Sequence, residues 1–158
     1  MCNEKFAPII RFAVMSDIHL KDEPSAESER FKKGIADAYK IARNGETYKK
    51  LDALVLDGDI ATSGSEAQMQ MAKEIIDNGL DYDETKLIIS VASHEYNHEN
   101  GGVEGALEKL KRIFNAAPDV HEVINGFHFV SASPSKSCDF NDDKIKWIYD
   151  NLEAAKKD

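Results

Sequence analysis

Three short polar clusters carry the side chains best suited to chemistry: Ser16-Asp17-Ile18-His19, Asp57-Gly58-Asp59 and Ser93-His94-Glu95. Each follows an apolar run, at residues 9–15, 53–56 and 87–92 respectively. Together they offer oxygen and nitrogen donors without thiolate, a set that suits Mn, Fe or Zn better than Ca or Mg, which prefer oxygen alone. Two such ions close together would bind phosphate oxygens, lower the pKa of a bridging water and stabilise the charge that develops in an in-line displacement. Asp17 and His19 alternate along a segment expected to be extended, so a slight bend would turn both toward one ion. Asp59, after Gly58 in a tight turn, would bridge two ions with its two oxygens. Each cluster alone has a plainer role as a helix cap or turn, and only their recurrence after successive apolar runs points to a shared site.

Such a site needs elements that bring the three clusters together. The three apolar runs are nearly continuous, as in strands covered on both faces. Between them, Phe31, Ile35, Ala38 and Ala42 recur at helical spacing, as do Met69, Ala72 and Ile76, then Val103, Leu107, Leu110 and Phe114. Ser65-Glu66-Ala67-Gln68 fits a capping box at the start of the second helix. A last helix, carrying Ile145, Ile148, Leu152 and Ala155, should start after Asn141 with Asp142 and Asp143 in its first turn. Residues 121–124 and 127–130 flank Asn125-Gly126, a strong two-residue hairpin signal. The order β-α-β-α-β-α-hairpin-α predicts an α/β fold, a mostly parallel sheet with right-handed crossovers plus one antiparallel hairpin. Ligands of open sheets bind at the carboxyl ends of the strands, where the three clusters lie.

Composition bounds the partners. Among 158 residues, 20 Lys and Arg against 29 Asp and Glu give a net charge of −9, and 42% of residues are hydrophobic. That is enough for one sizeable core, and it excludes a collagen-like or disordered chain. An acidic chain disfavours nucleic-acid backbones and anionic membranes, so a phosphorylated ligand would need a local positive centre. The first residues lack an apolar segment of signal-peptide length and no run is long enough to span a bilayer, which predicts a cytoplasmic protein. Cys2 and Cys138 have no metal-type spacing and are expected to be unpaired thiols. His98 falls in a polar loop and is expected to be solvated, while strand alternation accounts for His121 and His128 as structural or solvent-facing residues. Met69, Met71 and Trp147 are expected to pack. Nothing in the sequence specifies an oligomeric state.

Asp17-Ile18-His19, Gly58-Asp59 and His94-Glu95, in that order and spacing, resemble the D-x-H, G-D and G-N-H-[DE] blocks of the calcineurin-like metallophosphoesterases. Asn125-Gly126-Phe127-His128-Phe129 and the helix around Lys144-Ile145-Lys146-Trp147-Ile148 are also similar to segments of that family, so the resemblance covers most of the chain. It implies a hydrolase of small phosphomonoesters or phosphodiesters using a metal-activated water. Residues 1–158 would form one such domain or the N-terminal half of its four-layer αββα sandwich. By this resemblance, Asp17 and His19 hold the first ion of a dinuclear Mn, Fe or Zn site, Asp59 bridges both ions, and His94 stabilises or protonates the leaving group. Glu95 would then orient the His94 imidazole.

Two departures bear on that implication. The family block is here Ala92-Ser93-His94-Glu95, so Ser93 takes the place of the second-metal Asn and Ala92 that of a glycine suited to positive φ. No histidine follows His128, so the late histidine blocks that complete both metal spheres have no counterpart. The sequence thus keeps a second reading, a catalytically degenerate protein of the same fold that binds a metal, a phosphate ligand or a protein partner. One sheet face or edge would be short of cover unless a second copy or a further segment supplies it. A third reading takes Asp57 as the nucleophile and Asp59 as the acid/base of a haloacid-dehalogenase-like phosphatase. That motif carries Thr or Val where this chain has Ala61, and it leaves Asp17, His19 and His94 without a role.

Overall fold

The computed structural model describes residues 7–157. Strand β1 (Phe12–Met15) leads to helix α1 (Ala26–Arg43), β2 (Ala53–Asp57) to α2 (Glu66–Gly79), and β3 (Lys86–Ser90), through a 3₁₀ turn at His98–Asn100, to α3 (Gly102–Phe114). The hairpin β4 (Asp119–Ile124) and β5 (Phe127–Ala132) and helix α4 (Asp142–Ala155) complete the order. The fold is α/β, as the alternation of apolar runs and helical periods requires. β1, β2 and β3 are adjacent and parallel, with Met15 opposite Leu56 and Leu56 opposite Ile89. Sequential parallel pairing sets the three strand ends side by side, so the three polar clusters emerge on one edge.

The helices begin where side chains can satisfy their free backbone N–H groups. Ser65 Oγ accepts from the Gln68 N–H at 3.3 Å while Gln68 Oε1 accepts from the Ser65 N–H at 3.4 Å, the capping box expected for α2. Asn141 Oδ1 accepts from the Lys144 N–H at 2.9 Å at the start of α4. At the hairpin tip, Asn125 and Gly126 have φ of 51° and 80°, the left-handed pair that an Asn-Gly turn of the I′ type requires. Asn125 Nδ2 donates to Asp52 Oδ1 and the Tyr48 hydroxyl, both at 3.0 Å, tying the hairpin to the entry of β2.

The main core lies on one side of the parallel sheet. Leu54, Leu56 and Ile89 point into it and meet Phe31 and Ile35 of α1, Met69 and Ile76 of α2, and Leu110 and Phe114 of α3. Pleating turns Ala53 and Ile88 to the other side, where a smaller cluster joins them to Ile124 of β4 and to the partly buried Val55 and Phe129. Coverage of both faces, expected from the apolar runs, therefore holds for β2 and β3 but not for β1. Phe12 and Val14 are 49% and 57% exposed. β1 is an edge strand, and its outward side chains have the hairpin near them on one flank alone, with Phe12 set edge-on to Phe129 at 5.2 Å between ring centroids.

Met69 is fully buried and Trp147 half-buried, while Cys138 is a free, exposed thiol and Cys2 lies outside the described residues. No helix among the described residues is long and apolar enough to cross a membrane.

Candidate metal centre

Beyond the strands proper, the parallel pairing continues into the loops that carry the candidate ligands. The Asp17 N–H donates to the Gly58 carbonyl at 3.4 Å, the His19 N–H to the Asp59 carbonyl at 3.1 Å, and the Leu20 N–H to the Ile60 carbonyl at 2.8 Å. Leu20 and Ala61, which pair at the end of this run, are completely buried. The two loops are thus anchored on both sides of the ligand residues. The segment around Asp17 and His19 is not extended, as alternation suggested. Asp17, His19 and Asp59 have φ of 53°, 54° and 49°, in the left-handed region. There they depart from the strand direction and swing their side chains off the ladder.

Gly58 makes the approach of the β3 loop possible. Its φ is +73°, and a Cβ at this position would lie 2.3 Å from the Ala92 Cβ. Ala92 itself is not among the positive-φ residues, so the expectation that it hinders a left-handed turn is not met. The glycine required in this region is the one on the neighbouring loop, where the backbone must pass close to a methyl group.

His19, Asp59 and His94 come together, with ligating atoms all within 4.8 Å of one another. The His19 and His94 rings meet nearly edge-on at 4.5 Å between centroids. Asp59 is held from the β3 side, since its Oδ1 accepts the His94 backbone N–H at 3.0 Å and the Ser93 hydroxyl at 3.3 Å. The His94 Nδ1 lies 2.8 Å from the Thr62 carbonyl. A carbonyl only accepts, so this nitrogen carries a proton, and the tautomer the contact selects has its lone pair at Nε2. Asp17 stands at the rim: its Oδ1 is 3.9 Å from His19 Nε2, its Oδ2 accepts from Ser16 Oγ at 2.6 Å, and its side chain is 69% exposed.

Glu95 does not orient the His94 imidazole. Its carboxylate is fully buried and accepts backbone N–H groups from Asp59 at 3.0 Å, Ala61 at 2.8 Å and Ala92 at 2.9 Å. Burial pushes this carboxyl up from its ordinary value, the donors of Ala61 and Ala92 pull it back, and the nearby Asp59 charge raises it again. Glu95 is therefore a clamp between the β2 and β3 loops, and the group that holds the imidazole is the backbone carbonyl of Thr62. Neither role has a signature in the sequence, because the partners are backbone atoms common to every residue.

The remaining expected residues fall elsewhere. His98 is exposed on the 3₁₀ turn. His121 Nε2 lies 2.7 Å from His128 Nδ1, and His121 Nδ1 lies 2.9 Å from Asn151 Oδ1, tying the hairpin to α4. Asp57 points to the hairpin side, lining a cavity with Phe129 and Phe140 and accepting from Ser90 Oγ at 3.3 Å, whereas Asp59 joins the histidines. The two aspartates of a D-x-D nucleophile pair thus do not converge.

A small cavity of about 220 Å³ opens beside Asp17, lined by Ser16, Glu27, Arg30 and Phe31. Two roomier hollows, of about 710 and 650 Å³, lie below β3 and between α1 and α2 and include none of the three clustered ligands. Chemistry follows the convergent polar groups rather than the volume. No protein-family model matches the chain, and no curated protein sequence matches it. Two imidazoles and a carboxylate on three adjacent strand ends, with one tautomer set and the carboxylate oriented, fit a borderline divalent cation.

Proposed function

We propose that the chain is a metal-dependent hydrolase of small phosphoesters, the activity implied by its resemblance to the calcineurin-like metallophosphoesterases. The observation that carries this reading is the convergence of His19, Asp59 and His94 within 4.8 Å, on loops clamped by Glu95. A divalent cation bound there supplies Lewis acidity toward a phosphoryl oxygen and the positive charge that a chain of net charge −9 otherwise lacks. The chain's own contribution is positional. Ser93 and the His94 N–H orient the Asp59 carboxylate, the Thr62 carbonyl fixes the His94 tautomer, and Asp17 adds negative charge beside His19. The half-exposed site admits an anionic substrate from solvent, and the cavity toward Arg30 gives its organic group a place beside Asp17.

The test is hydrolysis of p-nitrophenyl phosphate and bis(p-nitrophenyl) phosphate by the full chain with added Mn²⁺ or Zn²⁺. Turnover should be abolished by chelator, and Asp59→Asn should reduce it by more than the roughly 10- to 100-fold that loss of an outer partner of a ligand costs. Equal turnover by wild type and Asp59→Asn would refute the assignment.

A further inference from the structure

We infer that the site is a one-metal centre in which His94 joins His19 and Asp59 as a ligand, in place of the leaving-group role that the family resemblance implies for it. This inference rests on the metal-dependent reading above and specifies the number of ions and the donors that hold each one.

Four observations lead to it. The three residues offer donor atoms mutually within 4.8 Å, whereas the resemblance places His94 outside the metal sphere. The His94 ring is also turned so that Nε2, and not Nδ1, is its free edge toward the triad. With Nδ1–H donating to the Thr62 carbonyl at 2.8 Å, the backbone selects the tautomer whose lone pair is at Nε2, the arrangement in which a ligating imidazole is held by its other nitrogen. Ser93, the residue at the second-metal position, uses its hydroxyl to donate to Asp59 Oδ1 at 3.3 Å and Oδ2 at 3.5 Å. It therefore orients a ligand, and a neutral hydroxyl is itself a weak one.

The fourth observation is backbone strain. Among the described residues, six that are not glycine have positive φ. Asn115 follows the end of α3, Asn125 forms the hairpin turn and Ser137 sits in the short loop bridged by Lys136 and Asp139, all ordinary settings for that conformation. The other three are Asp17, His19 and Asp59. A left-handed conformation at a residue other than glycine is uncommon, and three within one pair of loops mark a constellation held for something other than chain reversal. Asp17, exposed and 3.9 Å from His19 Nε2, stands beside that imidazole and outside the triad.

Two imidazoles and one carboxylate leave positions open for substrate oxygens and favour Zn²⁺ or Fe²⁺ over Mn²⁺, with Mg²⁺ and Ca²⁺ disfavoured. The test is metal binding by the metal-free full chain, followed by calorimetry and by the visible absorption of Co²⁺. We expect one ion per chain, Zn²⁺ binding at least about tenfold tighter than Mn²⁺, and a change in the Co²⁺ spectrum together with a loss of affinity of about 100-fold for His94→Ala. Ser93→Ala should weaken binding less than His94→Ala does, and His98→Ala should not change it. Long-range proton–nitrogen spectra of the wild-type imidazoles, recorded with Zn²⁺, give a readout that needs no variant: a ring-nitrogen resonance of His19 and one of His94 should move, and those of His98, His121 and His128 should stay. Two ions per chain, unchanged affinity in His94→Ala, or an unmoved His94 resonance would overturn the one-metal assignment while leaving metal-dependent hydrolysis standing. No binding of any ion to the wild type would overturn both.

Discussion

At the scale of single residues, the candidate site is assembled by groups outside its three clustered side chains. Glu95 brings a carboxyl group into a fully buried position, where an unpartnered polar group would be too costly to keep, and three backbone N–H donors on two loops satisfy its oxygens. Gly58 lets those loops close. Its Cα faces the Ala92 methyl, and its φ of +73° disfavours any side chain. Gly58→Ala should therefore cost about 2–4 kcal/mol, a backbone term of roughly 1 kcal/mol plus overpacking. Thermal denaturation checks this, and adding Ala92→Gly should recover the packing part and leave the backbone part. The chemistry at this scale was partly legible in the sequence. Asp17, His19, Asp59 and His94 stand out by residue type and by following apolar runs, but the Thr62 carbonyl and the Glu95 clamp act through backbone atoms, and no residue type announces those.

At the scale of elements, helix starts and the hairpin followed their local chemistry, since Ser65, Asn141 and Asn125-Gly126 each satisfy backbone requirements within a few residues. Packing between helices draws on contacts distant in sequence. Arg112 of α3 grips Glu66 at the start of α2 with both terminal nitrogens, at 2.9 and 2.6 Å, and this pairing holds the Glu66 carboxyl down to about 2. A carboxyl whose folded pKa is lowered stabilises the fold above its ordinary value of 4.5, and that contribution is lost as the pH falls through the range down to about 2. Both side chains are about half exposed, so screening limits the effect to less than about 1 kcal/mol. Over that acid range the wild type should lose melting temperature faster than Glu66→Gln, and the two curves should run parallel near neutrality. Parallel curves throughout would show that the pair contributes nothing to folding.

At the scale of the whole molecule, the helical side of the parallel sheet is well covered and the hairpin side is only partly so. Phe12 and Val14 stay exposed on β1, with Val123 and Phe127 of the hairpin at 51% and 40%. Because these side chains are already largely in water, Phe12→Ser combined with Val14→Thr should change folding stability by no more than about 1 kcal/mol, the edge contact with Phe129 being the main loss. The same double variant should bind less of a fluorescent apolar dye. A large loss of stability would mean that β1 is covered in solution. The sequence by itself determined the order of elements, the helix caps, the hairpin turn and the residues able to bind a metal, because periodicity, capping and turn chemistry operate over a few neighbouring residues. Tertiary structure decided which of those residues meet, bringing His94 to His19 and Asp59, leaving Asp17 at the rim and turning Asp57 to the other side of the sheet. It also decided that β1 is apolar yet uncovered on its hairpin side, where Phe12 and Val14 point. An apolar run looks the same whether one face or two will be buried, and a distance between residues tens of positions apart exists only once the strands are side by side.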